Sequence, residues 1–417
     1  MNKTARNWAL EAIEGRKDWF VSLCQDLVRI PSPNPPGDTT RVAKYVIALL
    51  QERDIPFREY LPRPGNPILV ASIGTGLSPK LTLCGHMDVF PVQDPSEWST
   101  DPYGGFLEDG KLYGRGSSDM KAGVAAALGT FLMFVEEKTQ MDGTLLLTLV
   151  SDEENASTWG ARWLLSNVPE VRGDACLIGE PTGYLTPVIG EKSPLWCRLR
   201  TSGEQMHGAF SDGRDAIWQM AKAILAIQTL NDLSYSTKGE VAALVAELMS
   251  KGKESSGGWR WSLTRPSVNF GTFRGGAKLN LSPGSAELEL DLRVPFGATP
   301  GELLGELEGV LSAAGVQAEV EVIFGADEAP NFTPWDGDFM QTFRQAVRTS
   351  TGQEPQPLLM PYLSDARVYR RHGVQAVLCG PRDYGMGGAD EHIEVEEYFH
   401  ILRIFAQTAV DYCGIRR

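Results

Sequence analysis

The segment LTLCGHMDVFPV, residues 81–92, decides the fold class of this chain. It begins as an apolar β-strand and ends in His86 and Asp88, which share a face if the chain stays extended. Short apolar runs that alternate with helical patterns are typical of a parallel sheet. Loops at the carboxyl ends of such strands open into a crevice. The segment therefore predicts an α/β sheet with candidate functional residues at one edge.

The same alternation extends on both sides of this segment. Apolar runs at residues 68–73, 145–150 and 175–178 predict further strands, and residues 118–137, rich in alanine, leucine and valine, predict a helix. The fold class is therefore α/β with a mostly parallel sheet.

From residue 191 the pattern changes to β-α-β-β-α-β, the order of a ferredoxin-like domain. The predicted elements are, in order, residues 195–201, 215–230, 267–273, 286–294, 300–314 and 318–324. A loop is expected at 249–258, and the α/β alternation returns after about residue 330. We therefore expect one domain of residues 1–190 and 328–417, with an α+β domain of residues 191–327 inserted into it.

Length and composition set the expected number of domains and exclude several classes of partner. A chain of 417 residues exceeds a single core of roughly 250–300 residues. Its net charge of −14 gives no general attraction for nucleic acid or an anionic membrane. The six cysteines form no CxxC pair, and the N-terminus lacks the apolar stretch of a signal peptide. The longest near-continuous apolar run, residues 124–135, is too short to cross a bilayer. We expect a cytoplasmic protein without nucleic-acid or membrane partners.

Acidic residues follow three further apolar runs. Asp119 lies in GRGSSDMKAG, Glu153 and Glu154 lie in LTLVSDEENAS, and Glu180 lies in DACLIGEPTG. Any one of these acids is equally explained as a helix cap. Together with His86 they favour a cluster that binds two divalent ions, for which imidazole and carboxylate ligands best match zinc. The chain has neither a Walker A motif nor a Gly-x-Ser-x-Gly elbow.

These motifs resemble the M20 family of dinuclear metallopeptidases and deacylases, which includes acetylornithine deacetylase and succinyl-diaminopimelate desuccinylase. The resemblance covers nearly the whole chain, including IPSPNPPGD, GEPTG and LYGRGSSDMKAG. It implies two zinc ions per chain, with Co²⁺ or Mn²⁺ as possible substitutes. The implied roles are as follows: His86 and Glu180 bind one ion, Asp119 bridges both, Glu154 binds the second, Glu153 is the general acid/base, and Asp88 supports His86. It also implies a cis peptide between Asp119 and Met120.

The inserted domain carries a second set of implied residues. His207, in EQMHGAFSDGRDAI, matches a donor to the developing oxyanion that reaches across a homodimer interface. Asn280 and Arg293, in LNLSPGSAELELDLRVP, match residues that hold the substrate carboxylate; alternatively, Arg293 pairs with a neighbouring acid. Lys192 lies where some relatives use a basic substrate contact. The resemblance thus makes this domain a lid and dimerisation domain.

One position departs from the family pattern. The family's C-terminal histidine ligand falls on Gly387 in YGMGGADEHIEVEEY. Three alternatives stay open: His392 substitutes as ligand; water, substrate or Glu391 completes the second site; or that site is weak or empty.

The resemblance implies a metal-dependent amidohydrolase that cleaves an N-acyl amino acid or a related small carboxylate-bearing amide by means of a metal-activated water. A deacylase of class EC 3.5.1 is favoured over a peptidase of class 3.4. The alternatives are a dipeptidase or carboxypeptidase of the same family, and a noncatalytic binding protein with an incomplete second metal site.

Overall fold

The computed structural model describes residues 3–250 and 259–416. The chain divides into a first compact unit, residues 1–189, 333–358 and 364–417, and a second compact unit, residues 190–332 and 359–363. The sequence places the return to the first domain after residue 327, whereas the observed change follows Phe332. The short strand Asn331–Phe332 pairs with Glu191 and Gly190, which keeps this stretch in the second unit.

The first unit is built on a mixed sheet with a parallel centre. Six of the nine strands of this sheet are, in spatial order, Phe57–Tyr60, Ile68–Gly74, Thr144–Val150, Lys80–His86, Ala175–Ile178 and Gln375–Leu378. The last four run parallel, and the first two pair antiparallel. Val188 of strand Val188–Glu191 pairs antiparallel with Leu378. The predicted α/β class with a mostly parallel sheet is confirmed.

Helices cover this sheet. They are Lys3–Glu14, Lys17–Val28, Thr40–Glu52, Ala122–Glu136, Ala161–Asn167, Asp338–Thr351, Asp365–Arg371 and Val395–Cys413. The stretch Ser117–Glu136 is the one described helical segment long and apolar enough to span a bilayer, and it is almost wholly buried inside the protein. It is therefore positioned as a core helix, because its apolar surface is already covered by protein.

Two small sheets complete the first unit. One has three antiparallel strands, Phe106–Glu108, Lys111–Tyr113 and His392–Glu394. The other pairs Gln140–Met141 with Ile415–Arg416. The first of these sheets matters for the site because it fixes His392 against Tyr113.

The second unit has a four-stranded antiparallel sheet in the spatial order Ser267–Gly275, Ser285–Val294, Ser193–Ser202 and Ala318–Phe324. Helices Ala216–Gln228 and Pro300–Ala313 supply the two α elements, and alternating leucines of the strands pack against them. The predicted β-α-β-β-α-β order is present. A further helix, Gly239–Ser250, occupies the first two residues of the predicted loop, and residues 251–258 lie outside the described part of the chain.

Candidate metal centre and active site

The parallel register brings the strand ends of the first unit together. His86 is aligned with Val150, and Cys84 is aligned with Ile178, so the loops after all three strands leave from one edge. The helix that follows Asp119 approaches the third strand end closely, because a Cβ on Gly123 would lie 2.3 Å from the carbonyl oxygen of Gly179. Glycine at this crossing lets Asp119 meet the residues of the strand ends.

Three side chains at this edge form a candidate ligand set. Ligand atoms of His86, Asp119 and Glu180 lie within 4.8 Å of one another, and all three residues are buried. His86 Nε2 is 3.1 Å from Asp119 Oδ1 and 3.6 Å from Glu180 Oε1. Glu153 Oε2 lies 3.9 Å from the same nitrogen. The Asp119–Met120 peptide is cis, as the family resemblance implies.

The contact at Nδ1 fixes the tautomer of His86. Nδ1 lies 2.9 Å from the backbone oxygen of Asp88, to which it donates its N–H, so in the neutral imidazole the Nε2 lone pair faces Asp119 and Glu180. The sequence expectation gives this supporting role to the Asp88 carboxylate, which is farther away, at 3.6 Å. The backbone oxygen therefore orients the imidazole. The Asp88 carboxylate accepts hydrogen bonds from other donors.

Those donors belong to the loop that carries the glutamates. The Asp88 carboxylate accepts the backbone N–H groups of Glu153, at 3.3 Å, and Glu154, at 3.2 Å, and the side-chain amide of Asn34, at 2.9 Å. Asp88 thus positions both glutamates by their backbone. We define residues 151–160 as the glutamate loop.

The glutamate loop is conformationally strained and is held from a second side. Asp152, Ala156 and Ser157 have φ of 66°, 65° and 63°, a region that non-glycine residues occupy at a cost. Ser157 donates its hydroxyl to Asp365, at 2.5 Å, and Arg367 donates to the Ala156 carbonyl oxygen, at 3.2 Å. Sequence reasoning missed Asp365, because it stands inside a short helix with no strand-end signal.

The electrostatics of the edge suit a divalent cation. Burial alone would lower the pKa of His86, but Glu180, Asp119 and Glu153 raise it well above its ordinary value. Burial raises the pKa of Glu153 and Glu180 well above the ordinary range and that of Glu154 to about 10. A bound cation would favour the ionised acids and the neutral imidazole. The donor set therefore fits a divalent metal ion.

The C-terminal segment, residues 384–394, contains the position of the family's histidine ligand, Gly387, and the acid Glu391. Gly387 has φ of 75°, and its carbonyl oxygen accepts from Arg115 Nη2, at 2.8 Å. Buried Glu391 forms an ion pair with Arg115 and accepts the backbone N–H groups of Ser118, at 2.9 Å, and Asp119, at 3.1 Å.

His392 lies apart from the ligand set. Its ring stacks on Tyr384, with centroids 5.1 Å apart, and lies 4.9 Å from the Tyr113 ring. Its Nδ1 is 2.9 Å from the Asp390 backbone oxygen. The structure therefore places this imidazole in an aromatic cluster rather than among His86, Asp119 and Glu180.

In the second unit, His207 and Asn280 lie on adjoining loops. His207 forms a bridge with Leu281, and the Asn280 carbonyl oxygen accepts the Gly208 N–H at 2.9 Å. The backbone N–H of Ala209 donates to His207 Nδ1 at 3.2 Å. Neutral His207 must then carry its proton on Nε2, which leaves a donor on an exposed side chain.

Arg293 and Lys192 are both already partnered. Arg293 Nε and Nη2 each lie 2.9 Å from one oxygen of the Asp291 carboxylate, so the neighbouring-acid alternative describes its contacts. Buried Lys192 donates to the Arg265 carbonyl oxygen and to Ser267 Oγ, both at 2.8 Å. Burial, assisted by the nearby charge of Arg293, lowers the pKa of Lys192 to about 7.

Comparison with known proteins places this geometry in a family. Residues 82–411 match the model for peptidase family M20/M25/M40. Succinyl-diaminopimelate desuccinylase 2 of Ruegeria sp. (strain TM1040) is 29% identical over 432 residues, covering 99% of each chain. Succinyl-diaminopimelate desuccinylase of Stenotrophomonas maltophilia (strain R551-3) is 31% identical over 337 residues, covering 79% of this chain and 82% of the relative.

Solved structures share the fold. An M20 family metallo-carboxypeptidase from Sulfolobus solfataricus has a TM-score of 0.75 at 19% identity, covering 93% of this chain and 98% of its own. A dinuclear metal-binding M20 peptidase from Bacillus subtilis has a TM-score of 0.66 at 16% identity, covering 96% and 99%. The chain belongs to peptidase family M20/M25/M40.

Proposed function

We propose that this protein hydrolyses the amide bond of an N-acyl amino acid or a related small amide that carries a carboxylate, with a divalent cation, zinc by preference, held by His86, Asp119 and Glu180. The observation that carries the proposal is Glu153 Oε2, 3.9 Å from His86 Nε2, beside a buried set of metal ligands. A carboxylate at that position can move a proton to and from groups that react at the cation. Full-length relatives named as desuccinylases support a deacylase, of class EC 3.5.1.

Glu153 carries the proton in this proposal. Its carboxylate accepts a proton from the attacking water and returns it to the leaving nitrogen as the C–N bond breaks. When bound, the divalent cation supplies a lowered water pKa and a polarised amide carbonyl. Asp88 keeps Glu153 in place by accepting its backbone N–H, and Glu154 is assigned to a second cation position.

The second unit supplies the proposed substrate contacts. His207 offers Nε2–H to the developing oxyanion, across a homodimer contact formed by this unit. Arg293 uses Nε and Nη2 for Asp291, and among the described residues no contact is seen at Nη1, which we assign to a substrate carboxylate. Asn280 and Lys192 are proposed as further substrate contacts. Exposed apolar side chains on this unit, Phe210, Phe273 and Leu279, support the homodimer.

A cytoplasmic location is proposed from the thiols. All six cysteines lie in the described ranges, and each is a buried free thiol, as expected in a reducing compartment. The proposed partners of the protein are a small amide substrate and a second copy of the chain.

A substrate panel tests the function. N-succinyl, N-acetyl and N-formyl amino acids, together with dipeptides, are incubated with cation-loaded protein, and release of the amine is measured. We expect cleavage of N-acyl amino acids, with the N-succinyl compounds as the first candidates because of the relatives' names. Preference for dipeptides would favour the peptidase alternative. Failure to cleave any amide in this panel would contradict the proposal and favour a noncatalytic binding role.

Glu153→Gln tests the mechanism. Its amide cannot take up the proton, so we expect kcat to fall by about 10²–10⁴ while the bound cation is retained. Glu108→Gln, at an exposed glutamate of a surface strand, is the matched control and should leave kcat unchanged. Full activity of the cation-loaded Glu153→Gln protein would remove the residue from this role.

A further inference from the structure

The two cation positions of the candidate metal centre have different numbers of protein ligands. At one end, His86, Asp119 and Glu180 converge as three ligands, and the Nε2 lone pair of His86 is directed at the two acids. The second position, which the family resemblance assigns to Asp119 and Glu154, has one unengaged group: Glu154 Oε1 is buried and has no hydrogen-bond partner among residues 3–250 and 259–416. The second position therefore begins with two carboxylates and no imidazole.

The C-terminal segment does not supply the missing donor. Gly387, which stands at the family's histidine position, has no side chain, and Arg115 takes the carbonyl oxygens of Gly387 and Gly388 at 2.8 and 3.0 Å. The carboxylate oxygens of Glu391 are engaged as well, one by Arg115 and the other by the backbone N–H groups of Ser118 and Asp119. The carbonyl oxygens of Gly387 and Gly388 and both oxygens of Glu391 are thus engaged by groups of the protein.

His392 is also committed elsewhere. The strand His392–Glu394 pairs residue by residue with Lys111–Tyr113, which fixes the backbone of the histidine. Its ring contacts both Tyr384 and Tyr113. Among residues 3–250 and 259–416, the ligand atoms of His392, Asp119 and Glu154 do not converge within 4.8 Å of one another, so ligation by His392 would require its ring to leave these tyrosines.

We infer that this chain binds one divalent cation tightly, at His86, Asp119 and Glu180, and a second only weakly, at Asp119 and Glu154. The inference rests on the proposed function and departs from the dinuclear centre named for the Bacillus subtilis relative. Catalytic zinc sites use three protein ligands and leave one position open. The first position meets that requirement from the chain's own side chains, and the second does not.

Metal titration of the full-length protein tests the inference. Protein stripped with a chelator and dialysed is titrated calorimetrically with Zn²⁺, and Co²⁺ absorption spectra report the ligand field independently of activity. We expect one tight ion per chain and a second ion bound at least about a hundredfold more weakly. Two ions of similar affinity would overturn the inference while leaving the proposed function intact. Absence of any tight ion would overturn both.

A matched pair of isosteric variants assigns the tight ion to its ligands. Glu180→Gln removes a ligand of the complete position, so we expect the tight Zn²⁺ to weaken by about a hundredfold or more. Glu154→Gln makes the same chemical change at the incomplete position and should leave the tight affinity and the Co²⁺ spectrum of the first equivalent unchanged. Equal loss in the two variants would show that Glu154 belongs to the tight site and would overturn the inference. Circular dichroism confirms that both variants are folded before the titration.

Discussion

The strand-end edge that holds His86 and the C-terminal segment of residues 384–394 belong to the same unit, yet they use their polar groups in opposite ways. At the edge, ligand atoms of a buried imidazole and two buried acids converge within 4.8 Å of one another. In the segment, Glu391 and the Gly387 carbonyl oxygen are engaged by Arg115. The difference indicates which polar groups are kept for a cation and which stabilise the fold.

The two histidines give the sharpest test of this comparison. His86→Ala removes a ligand, so tight Zn²⁺ affinity should fall by about a hundredfold or more, and amide hydrolysis with it. His392→Ala removes a stacking ring and should leave Zn²⁺ affinity unchanged. Calorimetric titration measures both variants. A comparable loss of Zn²⁺ affinity in His392→Ala would restore His392 as a ligand.

Cation removal should make stability strongly pH-dependent. The pKa of Glu154, raised to about 10 by burial, lies above its ordinary value of 4.5, so the cation-free folded state binds more protons than the unfolded state between these two values. Stability in that window therefore falls as pH rises. Thermal unfolding of stripped protein should show a lower midpoint at pH 8 than at pH 5, and added Zn²⁺ should raise the midpoint more at pH 8.

Glu154→Gln is the control for this pH effect, because glutamine does not titrate. The stripped variant should lose less stability between pH 5 and pH 8 than the stripped parent. An identical loss in the two proteins would show that Glu154 does not contribute to the pH dependence.

Asp365 tests whether the glutamate loop is held from its far side. Asp365→Ala removes the acceptor for Ser157, so the loop that carries Glu153 should shift, with kcat falling about tenfold to a hundredfold. Ser157→Ala removes the other partner of the same hydrogen bond. The kcat of the double variant should be no lower than that of the less active single variant, because both changes break the same interaction. Additive losses in kcat would contradict the role of this contact.

Gly387 gives the smallest expected effect. A side chain at φ of 75° strains the backbone, so Gly387→His and Gly387→Ala should each lower the free energy of unfolding by about 1–2 kcal/mol. Denaturant unfolding measures this loss. Gly387→His should bind a second Zn²⁺ no more tightly than Gly387→Ala. Tight binding of a second Zn²⁺ by Gly387→His alone would show that an imidazole is the only ligand that the second cation position lacks.

The sequence predicts the edge well because its signals are local. Apolar runs 145–150 and 175–178 are strands with bounds close to those expected, and acids that directly follow buried strands must emerge at one edge. The family match over residues 82–411 confirms the resemblance carried by the four motifs.

Other features depend on contacts between distant residues and leave no local pattern. Helix Lys3–Glu14 was not predicted, and Asp365 joins the site only through Ser157, 208 positions earlier. The alternatives at Gly387 could not be reduced from sequence, since the partners of Glu391 and His392 come from residues 113–119 and 384.

The most direct test is a crystal structure of Zn²⁺-loaded protein, with anomalous diffraction data collected at the zinc absorption edge. We expect one strong anomalous peak within about 2.0–2.2 Å of His86 Nε2 and of one carboxylate oxygen each from Asp119 and Glu180. If no peak lies at that position, or if a second peak of equal height is coordinated by His392, binding of one tight cation by these three residues is contradicted.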